Sequence, residues 1–197
     1  MKIGIDIDDV ITDGETYYAY AQKYTAEVLK REPILVNDLG ECPLASYCDE
    51  LLGWSEKEAE VFWRNNYAKV VSEARPRTCA KEVISKLRKD GHEIIIVTAR
   101  TDKEMRFGFK WLKDNEIEYD KLYFDAEEKG KVAKNLKIDI FIDDSFRNCK
   151  MIAEEDIETC IMDLRTNRNI NLEGTGIKRV YSWSHFYKIV RDREELI

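Results

Sequence analysis

Three short β-branched runs each end in side chains that could do chemistry together. The stretch MKIGIDIDDV closes on Asp6, Asp8 and Asp9, EIIIVTAR on Thr98 and Arg100, and DIFIDDS on Asp143 and Asp144. Like charges crowded at strand ends are costly unless a cation or a hydrogen-bond network neutralises them. Carboxylates from two strands make a hard oxygen site that suits Mg²⁺ better than zinc, because these segments contain no His or Cys. A metal-bound carboxylate beside a free one suits phosphoryl transfer, with one acid as nucleophile and the other as proton donor. On an ideal strand Asp6 and Asp8, two apart, face the same side.

The elements that must position these groups alternate. The runs KIGID, EIIIVT, DIFID and TCIMD read as buried strands of a parallel sheet. Between them AKEVISKLRKDG carries Val83, Ile84 and Leu87 at helical spacing and stops at Gly91, and DKEMRFGFKWLKDN starts from a cap at Asp102. GKVAKNLK and FRNCKMIAEE read as two shorter helices, and the tail RVYSWSHFYKIVRDREELI as a strand followed by a helix capped by Ser182 or Ser184. Strand and helix in alternation predict a doubly wound, Rossmann-like α/β core, in which ligands bind beyond the carboxyl ends of the strands. All three acid or hydroxyl groups then converge on one edge.

Residues from about Gly14 to Glu73 break the rhythm. ETYYAYAQKYTAEVLKR and SEKEAEVFWRNNYAKVV are helical, Ser55 and Glu58 have capping-box spacing, and Pro33, Gly40, Pro43 and Gly53 punctuate the middle. The expected organisation is a core of residues 1–13 and 75–197 with a small helical cap, residues 14–74, inserted after the first strand. The polar stretch Arg165 to Gly176 reads as a mobile surface connection, with ligand contacts as the alternative.

A chain of 197 residues with formal charge −7 and pI near 5.1 is a poor partner for a nucleic acid polymer or an acidic membrane face, which need a Lys/Arg surplus. A small phosphorylated substrate needs only a local basic group. Cys42, Cys48, Cys79, Cys149 and Cys160 form no C-x-x-C pair, and their odd number fits reduced thiols. There is no 18-residue apolar run and the opening apolar stretch meets Asp6 at once, so a soluble, cytoplasmic protein is expected. A homodimer is left open.

In their order, IGIDIDDV, IIIVTAR and DIFIDD resemble the motifs of the haloacid dehalogenase-like (HAD) hydrolase superfamily. The resemblance implies that Asp6 is a nucleophile forming an aspartyl-phosphate and that Asp8 protonates the leaving oxygen and then activates water. It implies Mg²⁺ on the Asp6 carboxylate, the Asp8 carbonyl and Asp144, with Asp143 as a second acid of the metal site. Thr98 would donate to a phosphoryl oxygen, and a lysine would neutralise charge. EEKGKVAKN offers Lys129, Lys131 and Lys134, of which Lys129, placed where Gly130 could turn the chain into a helix, is preferred and Lys131 is the reserve. Two departures stand out: Asp9 where many relatives have Gly, and Asp143 where many have Gly or Ser.

DIDDVITD leading into helices, with FIDDS at the end, resembles more narrowly the 5'(3')-deoxyribonucleotidases, the cytosolic type C nucleotidases. That implies hydrolysis of nucleoside or deoxynucleoside monophosphates, with cap aromatics holding the nucleoside. Tyr17, Tyr18, Tyr20, Tyr24, Phe62, Trp63 and Tyr67 are available, and Tyr18 and Trp63 are taken as the contacts. Plainer roles compete. The Tyr17, Tyr20, Tyr24 series and the Trp63, Tyr67 pair have the spacing of a helix packing its own core. Arg100 could reach phosphate or pair with Glu104, and Arg75 and Arg77 read as solvent or ion-pair residues. His92 and His185 read as packing or surface groups, Cys149 and Cys160 as small hydrophobes. Other functions weighed are a phosphatase of a sugar phosphate or other small phosphometabolite, a phospho-acceptor signalling domain resembling response-regulator receivers, and a silent nucleotide binder.

Overall fold

The computed structural model describes residues 1–33 and 52–194; Gly40, Cys42, Pro43 and Cys48 lie outside the described residues. Six strands form one wholly parallel sheet: β1 Lys2–Ile5, β2 Glu93–Val97, β3 Lys121–Tyr123, β4 Ile140–Asp143, β5 Glu158–Met162 and β6 Lys178–Val180. Their order is β3-β2-β1-β4-β5-β6, so the chain leaves β1 in both directions and β1 and β4 are neighbours at the point of reversal. Ile3, Ile5, Ile94, Ile96, Ile140 and Ile142 bury one face, while Ile95, Val97 and Phe141 bury the other. That double-sided burial is why the strands read as unbroken apolar runs.

The described helices are α1 Glu15–Glu27, α2 Glu56–Glu73, α3 Ala80–Lys89, α4 Asp102–Asp114, α5 Lys129–Leu136, α6 Phe146–Ala153 and α7 Trp183–Glu194. Leu87 of α3, Trp111 of α4 and Phe186 of α7 cover the first face; Ala133 of α5 and Ile152 of α6 cover the second. Gly130 lies inside α5, one residue past its start, and the reason for glycine there is space: a Cβ would come within 2.3 Å of the Met151 carbonyl oxygen. Helix α4 starts one residue earlier than the Asp102 cap anticipates. The Glu104 carboxylate accepts from the backbone N–H and hydroxyl of Thr101 (2.6 and 2.8 Å). Ser182 rather than Ser184 caps α7, its Oγ accepting from the His185 N–H at 3.1 Å.

Strand β3 has no counterpart in the sequence reading. It is an edge strand of three residues with Lys121 and Tyr123 exposed and only Leu122 partly buried, so it lacks the apolar run that marks the inner strands.

Helices α1 and α2 share a small apolar core of their own, built on Tyr17, Tyr18, Ala21, Tyr24, Leu52, Trp54, Phe62 and Val70. Ser55 and Glu58 cap α2 reciprocally, as their spacing predicts. The chain leaves the sheet and returns to it side by side. Thr12 and Pro76 form an antiparallel bridge, the Asp13 N–H donates to the Arg75 carbonyl at 3.0 Å, and the Arg77 N–H donates to that of Ile11 at 2.7 Å. No described helix is long and apolar enough to cross a membrane. Cys79, Cys149 and Cys160 are free thiols, the last two buried.

Candidate active site

Strand β1 hydrogen-bonds to β4 as far as Asp6, whose N–H donates to the Ile142 carbonyl at 3.1 Å. The chain then coils rather than continuing as a strand: the N–H groups of Ile11 and Thr12 both donate to the Ile7 carbonyl, and Asp9 takes a left-handed backbone (φ 56°). Asp6 and Asp8 therefore reach one cavity through a turn and not through strand alternation. That cavity, about 820 Å³, is also lined by Thr98, Arg100, Lys129 and Asp144.

Of the three lysines, Lys129 lines this cavity beside Asp6. It is 2 % exposed, with Nζ 2.8 Å from Asp6 Oδ1 and 2.6 Å from Asp143 Oδ2. Lys131 is exposed and pairs with Glu128, and Lys134 pairs with Glu155. Asp143 is fully buried and saturated, since its Oδ1 also accepts from the Ser145 N–H (2.9 Å) and Asn148 Nδ2 (3.1 Å).

Carboxylate oxygens of Asp6, Asp143 and Asp144 lie within 4.8 Å of one another. Burial pushes Asp6 up to about 7 despite Lys129, with the charges of Asp143 and Asp8 adding to the rise. Asp144 is raised well above the ordinary carboxylate range by burial, then by Asp143, Asp9 and Asp6, with Lys129 alone opposing. One lysine thus leaves three acids short of positive charge. An all-oxygen donor set under that repulsion fits a divalent cation such as Mg²⁺.

Among the described residues Arg100 pairs with Asp8 and not with Glu104, and it lines the cavity where a phosphate would sit. Its Nε and Nη2 donate to Asp8 Oδ2 and Oδ1 at 2.9 and 2.5 Å, while Glu104 is engaged by Thr101. Burial works to raise the Asp8 pKa, but the charge and hydrogen bonds of Arg100 hold it below the usual range.

Asp9 neither faces solvent nor joins the carboxylate cluster. It is buried, its carboxylate occupies the space a Cβ on Gly14 (φ 70°) would need (1.9 Å from Oδ1), and its carbonyl accepts from Arg77 Nη2 at 2.9 Å. Burial lifts its pKa to about 7 in spite of Arg77. Arg75 pairs with Asp13, as an ion-pair role for it anticipates.

On the insert's side the cavity is walled by Tyr17 and Trp63, whose rings stack at 5.0 Å with 1° between planes. Tyr18 is not part of this wall. It lines a smaller cavity of about 210 Å³ with Asp9, Asp13, Arg77 and Asp163, because one residue along a helix turns the side chain by about 100°. Tyr24 packs within the insert against Trp54 and Phe62, as helical spacing predicts, and Tyr20 donates to Glu73 at 2.8 Å.

The polar stretch after β5 is tied down and reaches the site. Thr166, Asn167 and Ile170 line the cavity. Asn167, 3 % exposed, donates through Nδ2 to the carbonyls of Asp144 (2.9 Å) and Met162 (2.8 Å), and its Oδ1 accepts from the Leu164 N–H and Arg179 Nη1. The sequence reads this segment as a surface loop with ligand contacts as the alternative; which residues reach the cavity is not legible there.

The model of the family described as 5' nucleotidase, deoxy (pyrimidine), cytosolic type C matches residues 1–195. A nucleotidase of Clostridium acetobutylicum is 28 % identical over 192 residues, covering 96 % of this chain and 93 % of that protein. Among solved structures, a haloacid dehalogenase-like family hydrolase from Streptococcus pneumoniae superposes with a TM-score of 0.73 at 15 % identity, covering 96 % of this chain and 97 % of its own. A haloacid dehalogenase-like family hydrolase from Xanthomonas campestris gives 0.65 at 12 % identity, with 98 % and 95 % covered. The doubly wound sheet with acids at its point of reversal is thus the HAD fold, and the chain belongs to the cytosolic type C 5'-nucleotidase family, as a phosphoric monoester hydrolase.

Proposed function

We propose that the enzyme is a Mg²⁺-dependent phosphatase of nucleoside or deoxynucleoside monophosphates that works through an aspartyl-phosphate on Asp6. The observation that carries this reading is one cavity with two unlike walls: Asp6, Thr98, Lys129 and Asp144 at the strand ends, and the stacked Tyr17 and Trp63 from the insert. A phosphoryl group suits the first wall and a flat base the second. Residues 14–74 then serve as a cap on a core of residues 1–13 and 75–197.

Asp6 Oδ attacks phosphorus; an O–P bond forms as the ester P–O bond breaks, and the electron pair on the leaving oxygen takes the proton carried by Asp8. In the second half Asp8 accepts a proton from water, whose oxygen attacks phosphorus and expels the Asp6 carboxylate, releasing inorganic phosphate. Lys129, fixed between Asp6 and Asp143, offsets charge on nucleophile and phosphate, and the Thr98 hydroxyl donates to a phosphoryl oxygen. The Asp6 and Asp144 carboxylates and the Asp8 carbonyl would hold Mg²⁺, with Asp143 behind them as the partner of Lys129. When bound, the ion would neutralise charge on the phosphoryl oxygens and on the acid cluster.

The test is phosphate release from ribo- and deoxyribonucleoside monophosphates and sugar phosphates, with Mg²⁺ or with EDTA, beside Asp6→Asn. Nucleotide turnover that needs Mg²⁺ and vanishes in the variant is the expected result. Turnover confined to sugar phosphates would keep the chemistry and discard the nucleotide, and full activity of Asp6→Asn would end the covalent reading.

A further inference from the structure

The two acids of the first motif are each matched with a separate cation. Asp6 meets Lys129 on the inner side of the cavity, and Asp8 meets Arg100 at its wall. The second pair is asymmetric. Arg100 is 8 % exposed whereas the Asp8 side chain is 47 % exposed, so a buried anchor carries an accessible carboxylate.

The anchor is fixed along its length. The Arg100 N–H donates to Thr98 Oγ1 at 3.3 Å, its carbonyl accepts from the Asp125 N–H at 2.9 Å, and its guanidinium grips both Asp8 oxygens. Nη1 has no hydrogen-bond partner among the described residues and lies where α4 has Gly108; a Cβ there would be 3.2 Å away. Among the described residues, Asp8 alone hydrogen-bonds the guanidinium. The Asp8–Arg100 pair also borders a second cavity of about 640 Å³ that shares Tyr17, Trp63 and Ala99 with the first. The pair thus stands on the partition between the two spaces.

Without Arg100, Asp8 would be left with the charge of Lys129, which already reaches it and whose Nζ is shared by Asp6 and Asp143. A third carboxylate drawn to that lysine would leave the cavity wall and crowd the nucleophile. We propose that Arg100 is the positioning residue for Asp8, holding the proton-carrying carboxyl at the cavity wall and apart from the Asp6–Lys129–Asp143 cluster. This rests on the phosphatase reading above. It assigns Arg100 to the leaving-group side of the reaction and not to phosphate binding. The pair favours the ionised carboxylate, the form that accepts the proton from water in the second half; when one Asp8 oxygen carries the proton in the first half, the other still accepts from the guanidinium and keeps the carboxyl's direction.

The experiment compares kcat/KM of the wild type, Arg100→Met and Arg100→Lys on a nucleoside monophosphate and on 4-nitrophenyl phosphate, with Mg²⁺. The alkoxide of a nucleoside needs a proton to leave, whereas 4-nitrophenolate does not, and kcat/KM reports the half-reaction before the shared phosphoenzyme. Because both substrates meet the same enzyme preparation, the ratio between them is independent of how much of a variant is folded. The expected result for Arg100→Met is a loss of about 10²-fold on the nucleotide against less than about threefold on 4-nitrophenyl phosphate, with Arg100→Lys in between. An equal loss on both substrates, or no loss on either, would overturn the assignment while leaving the phosphatase reading intact. Retained turnover in Asp6→Asn would overturn the parent reading and this one with it.

Discussion

Lys129 Nζ bridges Asp6 and Asp143 at 2.8 and 2.6 Å, so a single buried ammonium joins the end of β1 to the end of β4. Removing one partner of a buried ion network leaves uncompensated charge, typically about 3–5 kcal/mol. Lys129→Met is therefore expected to lower both stability and turnover, the latter by about 10²-fold or more. Lys131→Met, which breaks only an exposed pair with Glu128, should stay within about twofold of wild type. Thermal melts and phosphate-release rates on both variants check this.

The crowding of Asp6, Asp143 and Asp144 predicts that divalent cations stabilise the fold. A ligand at about a hundred times its Kd adds about 2.7 kcal/mol, which for a chain of this size raises Tm by about 5–10 °C. Melting curves with Mg²⁺ and with EDTA should show that shift in the wild type and lose it in Asp144→Asn. Asn167→Ala, which releases the Asp144 carbonyl, should weaken the Mg²⁺ response about tenfold in concentration.

The Tyr17–Trp63 stack predicts a split between substrates. Stacking of a base on an aromatic ring is worth about 1–3 kcal/mol, so Trp63→Ala should raise KM for nucleotides about tenfold or more. KM for acetyl phosphate, which has no flat ring, should not follow. Tyr18→Phe, on the other side of α1, should leave both values unchanged. Steady-state kinetics on the two substrates decide it.

Asp9 combines a left-handed backbone with a buried carboxylate. A glycine has no steric penalty at φ 56° and no charge to bury, and the Asp9 carbonyl would still accept from Arg77. Asp9→Gly is expected to stabilise the protein by about 1 kcal/mol or more, read as a rise of at least about 2 °C in Tm. An unchanged or lower Tm would mean that the Asp9 side chain contributes contacts outweighing its strain.

Much of this was legible in the sequence where one residue's own burial decides the pattern. β1, β2, β4 and β5 are covered on both faces, so Ile94, Ile95 and Ile96 are all apolar and the strand is readable. β3, at the edge, has no such constraint. The strand-end acids were readable because the fold brings strand ends together by rule. That Asp8 partners Arg100 was not, since the two lie 92 positions apart; the four-residue spacing to Glu104 offered, beside phosphate, a contact that the capping of α4 claims instead. Telling Tyr17 from Tyr18 required the rotation of α1 about its axis, which a helix aromatic on several sides does not reveal. Asn167 was hidden because its four hydrogen bonds go mostly to backbone, and backbone partners leave no trace in side-chain pattern.

The paired crossing at Ile11–Asp13 and Arg75–Arg77 has a topological consequence. Some sixty residues depart from the sheet and return through a doorway one β-ladder wide, closed by backbone hydrogen bonds that require no particular side chain. The bonds that close the doorway are thus independent of the side chains beyond it, and the excursion leans on the core separately, through Val71 and Tyr67 of α2. On the proposed reading, a different excursion would present a different wall to the substrate while Asp6 and Asp143 stay at the ends of β1 and β4.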